Sequence, residues 1–223
     1  MNQPMPSPPY PRTAGSVEMR EVGRGFGRVQ VLQDCSFSAG AGEVVALHGA
    51  NGSGKTTVLR IIAGVLSADR GHVAVCGAPP GGGWAAYVPA GDRMLHWRLT
   101  GQHDLRFYAA LGGAAKERSE AWIEAAVDAV DASELLGRVV GECSTGQRRR
   151  LMVAAAMVTG APVLLVDEPF SDLDRAGKQA ISLACASWAA QGGVVMYAAP
   201  EPGEGPSPTQ ALEVVDGRLR RVS

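Results

Sequence analysis

Short apolar runs alternate with segments of helical period along most of the chain. Residues 16–22 and 29–38 carry β-rich runs, and residues 43–49 carry another that ends in glycine. From Thr56 onward, Val58, Ile61, Ile62 and Val65 recur at helical spacing, with Gly64 as the stop. Residues 72–77 and 84–89 are further strand candidates. Amphipathic helices are predicted over 99–113, 116–132 and 147–160. Residues 163–169 form an apolar run that enters a turn, 175–193 a helix stopped by glycine, and 194–200 a last apolar strand. Residues 201–210 are loop-like, and 211–222 form a closing hairpin around Asp216-Gly217. Continuous apolar strands separated by helices predict an α/β fold whose mostly parallel sheet is buried on both faces. No internal repeat is visible.

Composition changes this picture little. With 46% hydrophobic and 19% charged residues, 223 positions suffice for one large domain with a packed core. The net charge of −1 supplies no global field for nucleic acid or anionic lipid, so no nucleic-acid partner is expected. Cys35, Cys76, Cys143 and Cys185 lie far apart without ligand spacing, which argues against a disulfide scaffold and a zinc site. No apolar run approaches the ~20 residues of a membrane-spanning helix. The first 15 residues, rich in proline, are expected to be a disordered tail and not a signal peptide.

The strongest chemical signal is Gly49-Ala50-Asn51-Gly52-Ser53-Gly54-Lys55-Thr56-Thr57, set between a strand and a helix. Glycines let backbone N–H groups converge on a phosphate, and the helix N-terminus adds its positive end. Lys55 is placed for the β- and γ-phosphates, and the Thr56 hydroxyl for Mg²⁺. This pattern is specific for a nucleoside triphosphate. Asp167, at the end of the apolar run 163–167, is the second candidate for the Mg²⁺ shell. Glu168 follows it as candidate general base for an attacking water. A carboxylate pair after a strand is weak evidence alone, but a P-loop 112 residues upstream makes it coherent.

The third constellation is Cys143-Ser144-Thr145-Gly146-Gln147 before an arginine-rich helix, with Ser144 23 residues ahead of Asp167. With the P-loop and Asp167-Glu168, it resembles the ATP-binding cassette (ABC) ATPases, over roughly Val17 to Val222. Residues 171–174 resemble that family's D-loop, and Phe26 stands where an aromatic side chain stacks on adenine. The resemblance implies a P-loop NTPase cassette over residues 16–223: a mostly parallel core sheet, an antiparallel β subdomain and a helical subdomain inserted at about 90–158. It also implies ATP and Mg²⁺ as cofactors and pairing with a second cassette, so that Ser144, Gly146 and Gln147 act in trans on the partner's γ-phosphate. Ser144 is equally suited to cap the helix that follows. The segment 92–101 is similar to a region of ABC-2-type exporter ATPases that contacts the membrane subunit. Leu95, Trp97, Phe107 and Tyr108 are candidates to line a groove that accepts a coupling helix of that subunit, with Trp97 the best placed and Phe107 better explained by internal packing.

Two positions depart from the family pattern. Ala90 stands where the family has a glutamine that senses Mg²⁺ and water, and Pro200 where it has a histidine on the γ-phosphate. Asp92 is a weak substitute near the metal, and His48, His72, His96 and His103 all lie far from position 200. The expectation is an exporter ATPase, cytoplasmic and held at the inner membrane face by separate transmembrane permease subunits, that hydrolyses ATP slowly. Its alternative is a regulatory cassette that lends its signature to a complete partner. A P-loop kinase fits neither the signature nor the D-loop. The turn at 167–170 and the helix at 107–111 are shared with heme-exporter ATPases, which leaves heme or a c-type cytochrome precursor open as cargo.

Overall fold

The computed structural model describes residues 14–114, 116–203 and 205–222. Residues 1–13 of the expected tail lie outside these. Gly15, expected as the tail's last residue, is instead buried, and its N–H donates to the Gly192 carbonyl at 3.2 Å.

Nine strands and five α-helices make up the described chain. The strands are β1 (Val17–Phe26), β2 (Val29–Ala39), β3 (Val44–His48), β4 (Arg70–Val75), β5 (Ala85–Val88), β6 (Val163–Asp167), β7 (Val194–Ala198), β8 (Gln210–Val215) and β9 (Arg218–Val222). The helices are α1 (Lys55–Ile62), α2 (Gly101–Leu111), α3 (Lys116–Ala129), α4 (Thr145–Met157) and α5 (Arg175–Ala190). The core sheet runs β5-β6-β7-β3-β8-β9, parallel except for β9, which returns antiparallel on β8. That return is the expected hairpin: Asp216 and Gly217 have φ of 50° and 72°, both left-handed, as a tight turn matched to strand twist requires. A separate antiparallel sheet, β2-β1-β4, completes the α/β architecture foreseen from the sequence.

Strands β3, β6 and β7 are buried at every position, which is why they carry unbroken apolar runs rather than alternation. One apolar cluster lies between the core sheet, α1 and the antiparallel sheet, and includes Leu32, Leu47, Ile62 and Leu165. The other fills the opposite face beneath α2–α5, with Leu105, Ile123, Leu151, Leu164 and Trp188. All four cysteines are free thiols, three of them buried.

Strand β1 runs four residues beyond its predicted end. It is the central strand of its sheet, paired on both sides, so ladder bonds override the polar composition of Gly23–Phe26.

Candidate nucleotide-binding and hydrolytic site

Sheet register assembles the site. Ala198 of β7 pairs with Leu47 of β3 on one side and with Asp167 of β6 on the other. At a strand spacing of about 4.8 Å, the carboxylate strand end and the start of the glycine loop are therefore roughly 10 Å apart, at the same end of the sheet. The C-terminal ends of parallel strands are where such sheets bind ligands.

The glycine loop leaves β3 and opens α1. Gly54 is the N-cap at φ 115°, a conformation that L side chains resist, and no side chain caps the helix. A Cβ there would also meet Leu32 Cδ2 at 3.0 Å, because β2 crosses close over the loop. The first N–H groups of α1 are thus left for a ligand, and its first turn holds no acidic residue to repel an anion. Lys55 is buried, its Nζ donating to the Gly49 carbonyl at 2.7 Å and the Ala50 carbonyl at 3.0 Å. Ser53 N donates to the Ala50 carbonyl, closing the turn. Ser53 Oγ is buried without a partner, while Thr56 and Thr57 are half-buried and Asn51 and Gly52 exposed. Phe26 lies at the end of the β1–β2 hairpin that covers this loop. Its ring is 47% exposed, with the Arg24 guanidinium 4.8 Å from the centroid, so one apolar face remains open for stacking.

Asp167 is 1% exposed, and its two oxygens are treated differently. Oδ2 accepts from the Tyr87 hydroxyl at 3.1 Å, whereas Oδ1 is buried with no hydrogen-bond partner. Burial, with Asp167 adding to it and Arg60 opposing it, pushes the Tyr87 phenol up to about 12, so it stays a donor. A buried carboxylate with one unmatched oxygen costs free energy unless a ligand completes it. Together with the Thr56 hydroxyl, that oxygen fits Mg²⁺, a hard cation that takes few protein ligands beside substrate phosphates and water. Glu168 has φ 51°, a strained setting for a non-glycine residue, held by its N–H on the Ala198 carbonyl at 3.0 Å. This turns its half-buried side chain out of the strand direction at the rim of the site.

The signature segment forms a second surface. Ser144 caps α4: its Oγ accepts from Gln147 N at 3.2 Å, while Gln147 Oε1 accepts from Ser144 N at 2.9 Å. This is a complete capping box, as the helix-cap reading anticipated. A Cβ on Gly146 would stand 3.1 Å from the Asp172 carbonyl, so a larger residue would push residues 172–173 back by a few tenths of an ångström. Asp174 caps α5 through Gly177 N at 2.8 Å. Ser144–Gln147, Arg150 and Asp172–Asp174 line one groove of about 610 Å³.

The two departures are both exposed. Ala90 follows β5, and Pro200 follows β7 beside the loop and Glu168. Asp92 is engaged elsewhere, its Oδ2 being 3.3 Å from Arg148 Nε. Of the groove candidates, Leu95 is buried, and Tyr108 turns its hydroxyl inward onto the Met94 carbonyl. Trp97 is 50% exposed, with Arg148 stacked 4.8 Å from its ring centroid. Phe107 is not internal: it is 43% exposed, edge-on to His96.

Sequence reasoning missed three side chains here. Tyr87 holds Asp167, and its signal was a polar tip within an otherwise apolar edge strand. In the sequence, Arg148 and Arg149 are legible only as part of an arginine-rich helix. Arg149 is buried and donates to the Pro89 carbonyl at 2.9 Å. Burial lowers its pKa, against the opposing fields of Asp172, Glu168, Asp167 and Asp92.

Comparison with known proteins agrees with this geometry. The ABC transporter family model matches residues 32–171. The cytochrome c biogenesis ATP-binding export protein CcmA of Roseobacter denitrificans is 36% identical over 77% of this chain and 78% of its own length. The sulfate/thiosulfate import ATP-binding protein CysA of Escherichia coli K12 is 35% identical over 71% of this chain, but only 46% of its own. For ABC transporter G family member 20 of Dictyostelium discoideum the matched share of the relative falls to 22%. Several relatives are thus matched over half their length or less. In fold, the chain superposes on an ATP-binding subunit of an ABC transporter with TM-score 0.84 at 23% identity, covering 93% of this chain and 89% of the other. It also superposes on a dimeric post-hydrolysis ATP-binding cassette with ADP and Pi, at TM-score 0.82, 19% identity and coverage of 93% and 98%. Family match, fold and the meeting of glycine loop, carboxylates and signature agree: the chain belongs to the ABC transporter family of ATP-binding cassettes.

Proposed function

We propose that the chain binds and hydrolyses ATP to drive a membrane transporter, working as a pair of cassettes joined to separate permease subunits. The observation that carries this reading is the uncapped, acid-free N-terminus of α1 with buried Lys55, facing the same end of the sheet as Asp167 and Glu168. Phe26 stacks the adenine, and residues 49–57 cradle the phosphates through backbone N–H groups, Lys55 adding charge at the β- and γ-positions. Thr56 and Asp167 hold Mg²⁺, which supplies positive charge to phosphate oxygens when bound. Glu168 takes the proton from the attacking water. Ser144, Gly146 and Gln147, with the positive end of the α4 dipole, meet the γ-phosphate held by the partner cassette. The groove they share with Asp172–Asp174 supports such an interface. Among the described residues no helix is long and apolar enough to cross a membrane, which supports a docked subunit at the inner membrane face.

Export is the direction we favour, because a relative matched over 78% of its own length is an export protein. The second reading, a cassette that binds ATP but hydrolyses little, is favoured by exposed Ala90 and Pro200. Both are tested by measuring Mg²⁺-ATP binding and turnover of the purified chain, then identifying what co-purifies with it from membranes. A multi-spanning protein in that preparation, with turnover that rises on its addition, supports the first. Absence of ATP binding refutes both.

A further inference from the structure

The carboxylate of Asp167 is almost wholly buried, yet only one of its oxygens is satisfied within the protein. The satisfied one accepts from Tyr87. β5 is an edge strand of the core sheet, and its register sets Tyr87 opposite Leu165, two residues before Asp167. From there the phenol reaches along β6 to Oδ2 at 3.1 Å. The hydroxyl also has the Arg60 guanidinium beside it. Arg60 lies in the last turn of α1, the helix that opens with Lys55 and Thr56. A chain of polar contacts therefore runs from the glycine-loop helix through a phenol to the buried carboxylate, and such chains strengthen when their ends are charged.

We infer that Tyr87 is the positioning residue of the metal carboxylate. By donating to Oδ2 it fixes the rotation of the Asp167 side chain and leaves Oδ1 as the oxygen presented to Mg²⁺. Through Arg60 it ties that rotation to the helix carrying Thr56, the other proposed ligand. A carboxylate free to turn would lose rotamer entropy on each binding event, and one held by a hydrogen bond does not. This role weighs more here than it would beside a glutamine at position 90, because Ala90 brings no side-chain amide to the same metal shell. The inference rests on the reading of the site as one for Mg²⁺ and nucleotide.

Tyr87→Phe keeps the ring and removes the hydroxyl. Affinity for a fluorescent ATP analogue is titrated in EDTA and then against rising Mg²⁺, and thermal unfolding is followed without ligand. In the variant, affinity in EDTA should match wild type, and the Mg²⁺ concentration for half-maximal enhancement should rise about tenfold, the size of a lost charge-assisted hydrogen bond. Turnover at limiting Mg²⁺ should fall and recover at saturating Mg²⁺. Arg60→Gln, at the exposed end of the chain, should move the same half-point in the same direction by about two- to threefold. An unchanged half-point in Tyr87→Phe overturns the inference while leaving the nucleotide site intact. Equal weakening in EDTA and in Mg²⁺ also overturns it, since that marks a purely structural tyrosine. A wild-type chain whose nucleotide affinity ignores Mg²⁺ removes the underlying reading as well.

Discussion

Lys55→Met separates the two tasks the structure gives this side chain. Methionine preserves the aliphatic stem within the loop and deletes the ammonium. Without nucleotide, that ammonium donates to the carbonyls of Gly49 and Ala50 at 2.7 and 3.0 Å, so the loop itself loses two charge-assisted bonds. Two such bonds are worth about 3–6 kcal/mol in net terms, but most of that is offset because the variant is relieved of desolvating a buried cation. A net destabilisation of about 1 kcal/mol follows, which for a chain of this size lowers the melting temperature by about 2–4 °C. Nucleotide binding loses more. A charge-assisted contact to phosphate is worth about 1.5–3 kcal/mol, or roughly 10- to 100-fold in affinity. Calorimetric unfolding gives the first quantity, and titration with fluorescent ATP gives the second, with AMP as the competitor lacking β- and γ-phosphates. The variant should lose affinity for ATP and keep what little it has for AMP. ATP affinity within twofold of wild type would refute the assignment of Lys55 to the phosphates. Collapse of the fold at 25 °C would refute the estimate of a local, nearly compensated loss.

Four other outcomes follow from the same geometry. Glu168→Gln, isosteric at a strained φ of 51°, should retain ATP binding, lose at least 100-fold in turnover, and elute as an ATP-bound dimer on sizing in Mg²⁺-ATP; a monomer at high concentration would count against self-pairing. Pro200→His together with Ala90→Gln places donors at two exposed positions beside the site and should raise turnover about tenfold with little change in affinity, because contacts formed as charge develops act on rate; an unaltered rate would show that neither position limits hydrolysis. Trp97→Ala removes a half-exposed ring and its Arg148 stack, and should weaken co-purification with membrane subunits more than soluble ATPase activity, whereas equal losses would place Trp97 among structural residues. Burial pushes the phenols of Tyr108 and Tyr197 up to about 12, above the ordinary value near 10, so their neutral forms stabilise the fold fully below pH ~10 and that contribution fades as pH climbs toward 12; absorbance at 295 nm should show both titrating late, and native titration near pH 10 would contradict their burial.

Much of this protein could be read one residue at a time. Buried parallel strands cannot alternate, so β3, β6 and β7 announced themselves as unbroken apolar runs between helices. The loop at 49–57 was legible because the left-handed backbone at Gly49, Gly52 and Gly54 demands glycine, and because its strand and helix are adjacent in sequence. The hairpin at Asp216-Gly217 and the caps at Ser144 and Asp174 are equally local. What the sequence could not hold is the meeting of distant segments. Asp167 comes level with the glycine loop only because β7, late in the chain, inserts between β6 and β3. Leu95, in the loop before α2, turned inward and Phe107, on α2, turned outward because tertiary packing, rather than residue type, decides exposure. Tyr87 and Arg149 became part of the site through strand register and helix placement, each about 60 to 80 residues from the group it holds. Local backbone chemistry fixed the motifs, and long-range strand order and packing decided which side chains orient them.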